Sequence, residues 1–504
     1  MLNNPTFEKL CDHAREVSLI QSIQELLEWD ERVMLPPAGG SFRAEQVTFL
    51  SGQNHQRKTD PRLGEWLQEL AKSPLASDPH SIEGATIRQL QREYDKKRKV
   101  PQELVEALTR ESILGQQSWV EARKNDDFSS FQPALQKIVD LKRQQAHAIG
   151  FEDVPYDALL DDFEPDNRTA NISQILAELR QALVPLVAEI AQSGRLPNRQ
   201  IVRRSFPIDK QAAFGQSAAA QIGFDFKRGR LDVTHHPFCS GMGPGDCRIT
   251  TRYDEHFFPT AFFGILHEAG HGIYEQGLRT EYFGLPPGQF VSLGIHESQS
   301  RMWENLVGRS RAFWECFWPQ AQTIFPTALG DVTLDDFYFA INDVHASLIR
   351  VEADEATYNL HIIIRFELEQ ALINQDLEVA DLPTAWNDKY REYLGIEPPN
   401  NADGVLQDIH WGSAAIGYFP TYSLGNLYAS QFFEAAIKEL GNLEDSFRVG
   451  DFASLRDWLN TNIHQVGQCY SAAELVEKVS GSPLTPTPLV NHLQDKYRKL
   501  YELG

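Results

Sequence analysis

The ten residues FFGILHEAGH, numbered 262–271, decide the fold of this chain, because they place His-Glu-x-x-His inside an apolar run with helical spacing. His267 and His271 are four residues apart, so a helix presents both imidazoles on one face, where they can bind one metal ion. Glu268 projects about a third of a turn away and can take a proton from a water on the metal without being a ligand. The stretch therefore predicts a helix that carries two zinc ligands, His267 and His271, and a general base, Glu268.

The flanking residues favour a buried helix over a chance match to the motif. A chain with 15 histidines contains this motif by chance at a frequency of roughly a few per cent, so the context matters. An apolar stripe is formed by Ile265, Leu266, Ala269 and Ile273. The helix is also interrupted by Gly264, Gly270 and Gly272, which weaken it intrinsically. We expect these glycines to let another backbone pack closely against the helix.

A catalytic zinc site needs a third protein ligand, and three positions compete for that role. Glu275 lies four residues after His271, but three ligands from one helix face give poor tetrahedral geometry. A third histidine six residues on is ruled out by Gly277. Glu297, 26 residues after His271, has the spacing of a glutamate from a following helix, as in gluzincin peptidases. We therefore prefer Glu297, with His296 as the next choice.

Composition and charge exclude several functional classes. The chain of 504 residues is 42% hydrophobic and 23% charged, which is typical of globular proteins. A net charge of −23 argues against nucleic acid and anionic membranes as partners. The first residues lack the features of a signal peptide, and no apolar run is long enough to span a membrane. The five cysteines are scattered without a C-x-x-C pair, so we expect free thiols and a cytoplasmic protein, with Cys239 and Cys247 as small buried side chains.

The rest of the chain reads as mainly helical, with one small sheet directly before the metal helix. Apolar periodicity predicts helices at 5–33, from 41, at 81–98, 101–124, 129–148, 171–193, 292–307 and 334–373. Strand-like alternation occurs at 224–226, 231–234 and 248–253, with a turn at 241–245. We expect the sheet to offer an edge to an extended peptide. Residues 156–165 read as an acidic surface connection.

We expect a single domain over residues 1–504. Its first part, 1–200, is mainly helical, and its second part, 201–504, forms the catalytic core with the sheet and the metal site.

Several short strings occur in the order typical of one enzyme family. They are Trp29-Asp30, Pro36-Pro37, Arg43-Ala44-Glu45-Gln46, His236-Pro237-Phe238, Asp246-x-Arg248-x-Thr250, the metal motif, His296-Glu297-Ser298, Ile349-Arg350-x-x-Ala353-Asp354 and Gly404-x-x-Gln407-Asp408-x-His410-Trp411. Each string alone is weak evidence for a family. Together they make the chain resemble the Taq-type metallocarboxypeptidases from end to end, with departures mainly in the loop at 241–245.

This resemblance implies a mostly helical, saddle-like homodimer with a deep active-site groove. It implies a metal-dependent enzyme that removes single residues from peptide C-termini with broad specificity. Zn²⁺ is the implied cofactor, and Co²⁺ often substitutes for it in such proteins. By motif match, His267, His271 and Glu297 are the implied ligands and Glu268 the implied general base.

An exopeptidase must also recognise the free carboxylate of its substrate, and arginine does this best through a bidentate fork. Arg350 is our candidate, although an ion pair with Asp354 on the same helix face is the alternative. Arg248, expected on an edge strand, is a second candidate for lining the groove. His236 and His410 are expected either to donate hydrogen bonds to the substrate or to orient metal ligands.

The tetrahedral intermediate needs a further hydrogen-bond donor, and the segment 417–422 resembles the tyrosine loop of helical metallopeptidases. Tyr418 or Tyr422 is the expected donor, with aromatic packing as the alternative. Two other functions stay open from the sequence: a zinc oligopeptidase that cuts internally, and a non-catalytic peptide-binding protein on the same fold.

Overall fold

The computed structural model describes residues 4–503, and its first half is helical. The helices before the sheet are α1 Pro5–Val33, α2 Gly40–Lys58, α3 Pro61–Leu70, α4 Ile82–Lys99, α5 Gln102–Asn125, α6 Phe128–Ile149, α7 Pro155–Leu160, α8 Thr169–Gln192 and α9 Ile208–Ile222. The six helices predicted in this part are confirmed, with ends that differ by no more than two residues. Their limits follow local signals: Asn4 caps α1 by accepting amide hydrogens, and Pro5 occupies its first position.

The second half contains the sheet and the remaining helices. The strands are β1 Gly229–Val233, β2 Cys239–Gly243 and β3 Asp246–Thr251. They are followed by α10 Phe258–Gly277, α11 Leu293–Arg301, a π-helix Met302–Val307, α12 Arg311–Ile324, α13 Pro326–Leu329, α14 Leu334–Ile341, α15 Tyr358–Ile373, α16 Leu382–Leu394, α17 Pro420–Leu440, α18 Leu443–Arg448, α19 Ala453–Asn462, α20 Ala472–Ser480 and α21 Thr487–Leu500. The mainly helical fold with one small sheet next to the metal helix is therefore confirmed.

The sheet has the order β1-β3-β2, with β1 parallel and β2 antiparallel to β3. Arg248 faces Arg230 on one neighbour and Ser240 on the other, so it lies on the central strand. The prediction that Arg248 is on an edge strand is wrong, because the glycine-rich residues 241–243, predicted as a turn, continue β2. Residues 224–226 lie outside the strands.

Two other predictions fail for reasons that local pattern does not reveal. The helix expected at 334–373 is interrupted by an irregular stretch at 342–357, in which the Asp354 carboxylate accepts hydrogen bonds from the amides of His345, Ala356 and Thr357. The segment 156–165 is not a surface connection. It contains most of α7, in which all residues except Pro155 are buried, and it ends near the fully buried Glu164.

The core is one large apolar cluster that surrounds α10, with aromatic contacts among Phe214, Phe258, Phe262 and Trp314. The N-terminal helices pack around a separate small cluster, which contains Leu10, Leu63, Leu67, Leu70, Leu75, Ile87 and Tyr94. The helix α1 crosses from this cluster to the sheet, where Ser22 Oγ donates to the carbonyl of Met242. It thereby covers one side of a cleft whose floor is α10.

Among residues 4–503, no helix is long and apolar enough to cross a membrane.

Candidate active site

Three side chains from α10 and α11 converge at the floor of the cleft. His267 Nε2 lies 3.6 Å and His271 Nε2 3.3 Å from Glu297 Oε2. One ligand atom of each residue lies within 4.8 Å of the other two, and within the described part of the chain this is the one group found with such spacing. Two imidazole nitrogens and one carboxylate oxygen match the donor set of catalytic zinc sites that keep a position open for water.

Close helix packing brings Glu297 to the two histidines. A Cβ at Gly270 on α10 would lie 2.6 Å from the carbonyl oxygen of Gln299 on α11, so only glycine allows this approach. On the opposite side of α11, a Cβ at Gly425 would clash with the side chain of Glu297. The expectation that glycines in the metal helix permit close backbone packing is confirmed at Gly270.

Hydrogen bonds behind the two imidazoles fix which nitrogen carries the lone pair. His267 Nδ1 donates to Glu304 Oε2 at 2.9 Å. His296 Nε2 donates to Glu275 Oε1 at 2.8 Å, which leaves His296 Nδ1 to accept from His271 Nδ1 at 2.6 Å. When both rings are neutral, their Nε2 atoms therefore carry lone pairs that face Glu297 Oε2. This pattern fits a bound cation, and it places Glu275 and His296, the alternative ligands, behind His271.

Glu304 and Arg301 are functional candidates that the sequence analysis missed. Arg301 donates from Nε to Glu297 Oε1 at 2.6 Å and from Nη1 to Glu304 Oε2 at 3.3 Å. Arg301 and His267 hold the pKa of Glu304 at about 2 despite its burial. The available signal was spacing, because Glu304 lies seven residues after Glu297 in a predicted helix. The π-helix at 302–307 is a local irregularity of the kind that often occurs at functional sites.

Glu268 is positioned to act as a base. Its side chain lines the cleft and is 6% exposed, and its Oε2 is buried without a hydrogen-bond partner. Burial raises the pKa of Glu268 to about 7, with a smaller opposing effect of His267. A buried carboxylate with one free oxygen is able to exchange a proton near neutral pH.

Tyr418 and Tyr422 also line the cleft, together with Thr421. Their rings contact each other with centroids 5.2 Å apart, and His410 Nε2 lies 3.3 Å from the Tyr422 hydroxyl. Burial raises the pKa of both Tyr418 and Tyr422, so each keeps its hydroxyl proton and can donate it in a hydrogen bond.

Arg350 lies in a buried ion-pair network and not on a long helix. It begins the single 3₁₀ turn Arg350–Glu352 and is 5% exposed. Its Nε and Nη2 donate to Asp408 Oδ1 at 3.0 and 2.8 Å, and its Nη1 donates to the Tyr358 hydroxyl at 3.1 Å. Its ion-pair partner is thus Asp408, 58 residues later, whereas the alternative partner Asp354 accepts hydrogen bonds from the amide and hydroxyl of Thr357, just before α15.

Within residues 4–503, Arg248 and His236, like Arg350 and His410, are not among the residues that line the cleft, but Arg248 and His236 also lack contacts with the cleft-lining tyrosines. Arg248 pairs with Asp246 and stacks on the Trp29 ring, 4.3 Å from its centroid. His236 is exposed in the connection between β1 and β2. The geometry favours a structural role for Arg248, which packs against Trp29 of α1, and contact of either residue with the substrate stays a prediction.

The cleft itself has a volume of about 1330 Å³ and is lined by α1, α4, the sheet, α10, α11 and the tyrosine segment 418–422. A cleft of this size accommodates several residues of an extended peptide. Helix α1 and Arg92 and Lys96 of α4 also line it.

Comparison with known proteins gives matches over the whole chain. The sequence profile of the carboxypeptidase Taq (M32) metallopeptidase family matches residues 9–497. Thermostable carboxypeptidase 1 of Thermus thermophilus is 45% identical over 510 residues, which cover 99% of this chain and 100% of the relative. Carboxypeptidase 1 of Bacillus subtilis is 37% identical, with 99% of each chain covered. The crystal structure of an M32 carboxypeptidase from Deinococcus radiodurans superposes with a TM-score of 0.96 at 38% identity, covering 99% of this chain and 100% of that one.

Proposed function

Because the chain belongs to the carboxypeptidase Taq (M32) metallopeptidase family, it is a metal-dependent carboxypeptidase, and we propose that the cleft floored by α10 and α11 is its active site. The observation that carries this proposal is that the Nε2 atoms of His267 and His271 both face Glu297 Oε2. Glu304 and the His296–Glu275 pair orient the two rings, and Arg301 orients Glu297.

We propose that His267 and His271, through Nε2, and Glu297, through Oε2, hold a zinc ion, which Co²⁺ can replace. The nitrogen and oxygen donor set suits both ions. When bound, such an ion acts as a Lewis acid that polarises the scissile carbonyl and lowers the pKa of a water molecule.

The remaining chemistry falls to side chains of this chain. Glu268 Oε2 accepts a proton from the attacking water and later returns it to the leaving amine, for which a pKa of about 7 is suitable. The hydroxyl of Tyr418 or Tyr422 donates a hydrogen bond to the oxyanion that forms on the carbonyl. His410 holds the Tyr422 hydroxyl in place.

The proposed substrates are peptides with a free C-terminal carboxylate, from which single residues are released with broad specificity. Arg350 remains the candidate for the carboxylate contact. Its guanidinium lies 5.1 Å from the centroid of the cleft-lining Tyr422 ring, and Nη1 is bonded only to the Tyr358 hydroxyl, which a carboxylate can replace. Arg248 and His236 are assigned structural or surface positions.

The cellular setting and assembly are proposals of the same kind. Five free cysteines favour a reducing compartment, so we propose the cytoplasm. The family resemblance favours a homodimer, and we keep residues 1–504 as one domain.

A pair of matched peptides tests the proposed function. One peptide of mixed sequence is made with a free and with an amidated C-terminus, and each is incubated with protein loaded with Zn²⁺ or Co²⁺. Mass spectrometry should show a ladder of single-residue losses from the free peptide only. Internal fragments formed equally from both peptides would indicate an oligopeptidase, and intact peptides with fully loaded protein would indicate a non-catalytic binding protein.

A further inference from the structure

Two buried glutamates are bonded to segments that line the catalytic cleft, although neither lines it. Glu164 and Glu369 are both 0% exposed, and each accepts three hydrogen bonds from distant parts of the chain. Burial of a carboxylate is costly unless its oxygens are well bonded, so such residues are retained where their hydrogen bonds fix a particular geometry. Glu164 and Glu369 fix different segments of the chain.

Glu164 holds the first turn of the helix that carries Glu297. Its Oε1 accepts from Ser292 Oγ at 2.8 Å and from the Tyr428 hydroxyl at 3.1 Å, and its Oε2 accepts from the Gly294 amide at 2.9 Å. Ser292 is also the N-cap of α11, where it accepts from the Ile295 amide. Glu164 thus supplies an acceptor for one of the helix amides that has no partner within α11.

The space around the contact between Glu164 and Gly294 is tightly packed. A Cβ at Gly294 would lie 2.6 Å from Glu164 Oε2 and 2.9 Å from the ring of Tyr428. Tyr428 belongs to α17, and the same helix presents Gly425 to the side chain of Glu297. Glu164 therefore joins α11 to α17 one turn before Glu297, at the position that sets the depth and rotation of α11 against α10.

Glu369 makes the equivalent contacts on the tyrosine side. It accepts from the Tyr156 hydroxyl at 2.6 Å, Trp411 Nε1 at 2.9 Å and the Gly417 amide at 3.0 Å. Gly417 has φ of +99°, and a Cβ there would lie 2.7 Å from the carbonyl oxygen of Leu159. Glu369 thereby fixes the residue before Tyr418 and makes no contact with α11.

We propose that Glu164 is a positioning residue for the metal, because it fixes the start of α11 and so holds the Glu297 carboxylate against His267 and His271. Glu369 is its counterpart for the tyrosine segment. The proposal rests on the proposed function, in which Glu297 is a metal ligand. Residues that orient ligands through a hydrogen bond affect metal affinity, typically by about 10- to 100-fold.

Glu164 also lies in a segment that forms ion pairs with α4. Asp161 and Asp162 pair with Lys96 of α4 at 2.7 and 2.6 Å, and Arg92 pairs with Asp161. Residues 161–164 thus connect a helix that lines the cleft to the helix that carries Glu297.

The test is a set of metal affinities measured by competition with a chromophoric zinc chelator. We expect Glu164→Gln to raise the Kd for Zn²⁺ by about 10-fold or more, because the amide offers one acceptor oxygen in place of two. Gly294→Ala, which pushes the same contact apart from its other side, should do likewise. Glu369→Gln, a matched buried variant, should leave the Kd within about two-fold of wild type while lowering kcat, since its contacts lie on the tyrosine side.

The outcomes separate this inference from the proposed function. Glu297→Gln serves as the reference for loss of a ligand. If Glu297→Gln weakens Zn²⁺ binding strongly and Glu164→Gln and Gly294→Ala do not, the positioning role is wrong while the site stands. Equal increases in Kd for Glu164→Gln and Glu369→Gln would also overturn it, because general destabilisation would then explain both. Unchanged binding in Glu297→Gln would overturn the site and the inference together. Should Glu164→Gln not yield folded protein, Gly294→Ala decides.

Discussion

The metal side and the substrate side of the cleft are built in different ways. On the metal side, α10 and α11 are continuous helices, and their ligands are fixed by helical spacing and close glycine contacts. On the substrate side, Arg350, Tyr418 and Tyr422 come from short turns or helix starts that are held by the buried carboxylates Asp408 and Glu369. The difference implies that metal-side substitutions should remove chemistry with little effect on folding. Substrate-side substitutions should affect both.

The largest effect is expected at Glu268 on the metal side. Glu268→Gln removes the proton acceptor but keeps the size of the side chain, so kcat should fall by about 10²- to 10⁴-fold. Bound metal and melting temperature should stay close to those of wild type, because the buried Oε2 has no partner to lose. Peptide hydrolysis followed by chromatography, with elemental analysis of the same sample, measures both. A near-normal rate would remove Glu268 as the general base.

A large mixed effect is expected at Arg350 on the substrate side. Arg350→Ala leaves Asp408 buried with Arg365 as its remaining partner, which should cost about 3 kcal/mol and lower the melting temperature. Hydrolysis of a free-carboxylate peptide should also fall far more than any residual cleavage of its amidated form. Calorimetry and paired assays measure the two parts. Equal losses on the two peptides would assign Arg350 to structure alone.

A pH-dependent effect of intermediate size is expected at Glu369. Burial raises the pKa of Glu369 from 4.5 to about 7, so the folded state binds its proton more tightly than the unfolded state. The stability that this preference contributes is complete below pH 4.5 and is lost as the pH rises toward 7.

Glu369→Gln mimics the neutral form of the side chain. Its free energy of unfolding relative to that of wild type should therefore rise by about 2–3 kcal/mol between pH 5 and pH 8. Melting temperatures of the two proteins across this range measure the gain. A difference that does not change with pH would show that Glu369 is ionised throughout.

The smallest effect is expected at Arg248. Its ion pair with the half-exposed Asp246 and its stacking on Trp29 together contribute about 1 kcal/mol, so Arg248→Ala should lower stability slightly. Values of kcat/KM should stay within about three-fold of wild type, because the side chain lies outside the cleft. Steady-state assays on free and amidated peptides provide the check. A ten-fold selective loss on the free peptide would return Arg248 to the substrate site.

The sequence predicted best what depends on neighbours a few residues away. Helices such as α1 and α5 follow from apolar periodicity, and the grouping of His267 with His271 follows from one helical turn. Glu297 is predicted as the third ligand from the spacing that is typical of gluzincin peptidases. These features share one property: the interactions that fix them are local or recur in a fixed pattern.

The failures lie where distant partners overrule the local pattern. Apolar residues at 344–351 repeat with helical spacing, but Arg350 is held by Asp408 and the backbone nearby by Asp354, so the helix breaks. The acidic residues around Glu164 predict a surface connection, yet the partners of Glu164 at Ser292, Gly294 and Tyr428 lie more than a hundred residues away. No periodicity in the sequence reports such contacts.

The most direct test of the metal site is the zinc content of wild type compared with two matched carboxylate variants. Glu297→Gln removes the proposed ligand, whereas Glu275→Gln changes a carboxylate that contacts His296, behind His271. Elemental analysis after dialysis against limiting zinc should give about one ion per chain for wild type and most of that for Glu275→Gln, but very little for Glu297→Gln. Full occupancy in Glu297→Gln, or its loss in Glu275→Gln alone, would contradict the convergence of His267, His271 and Glu297 on one ion.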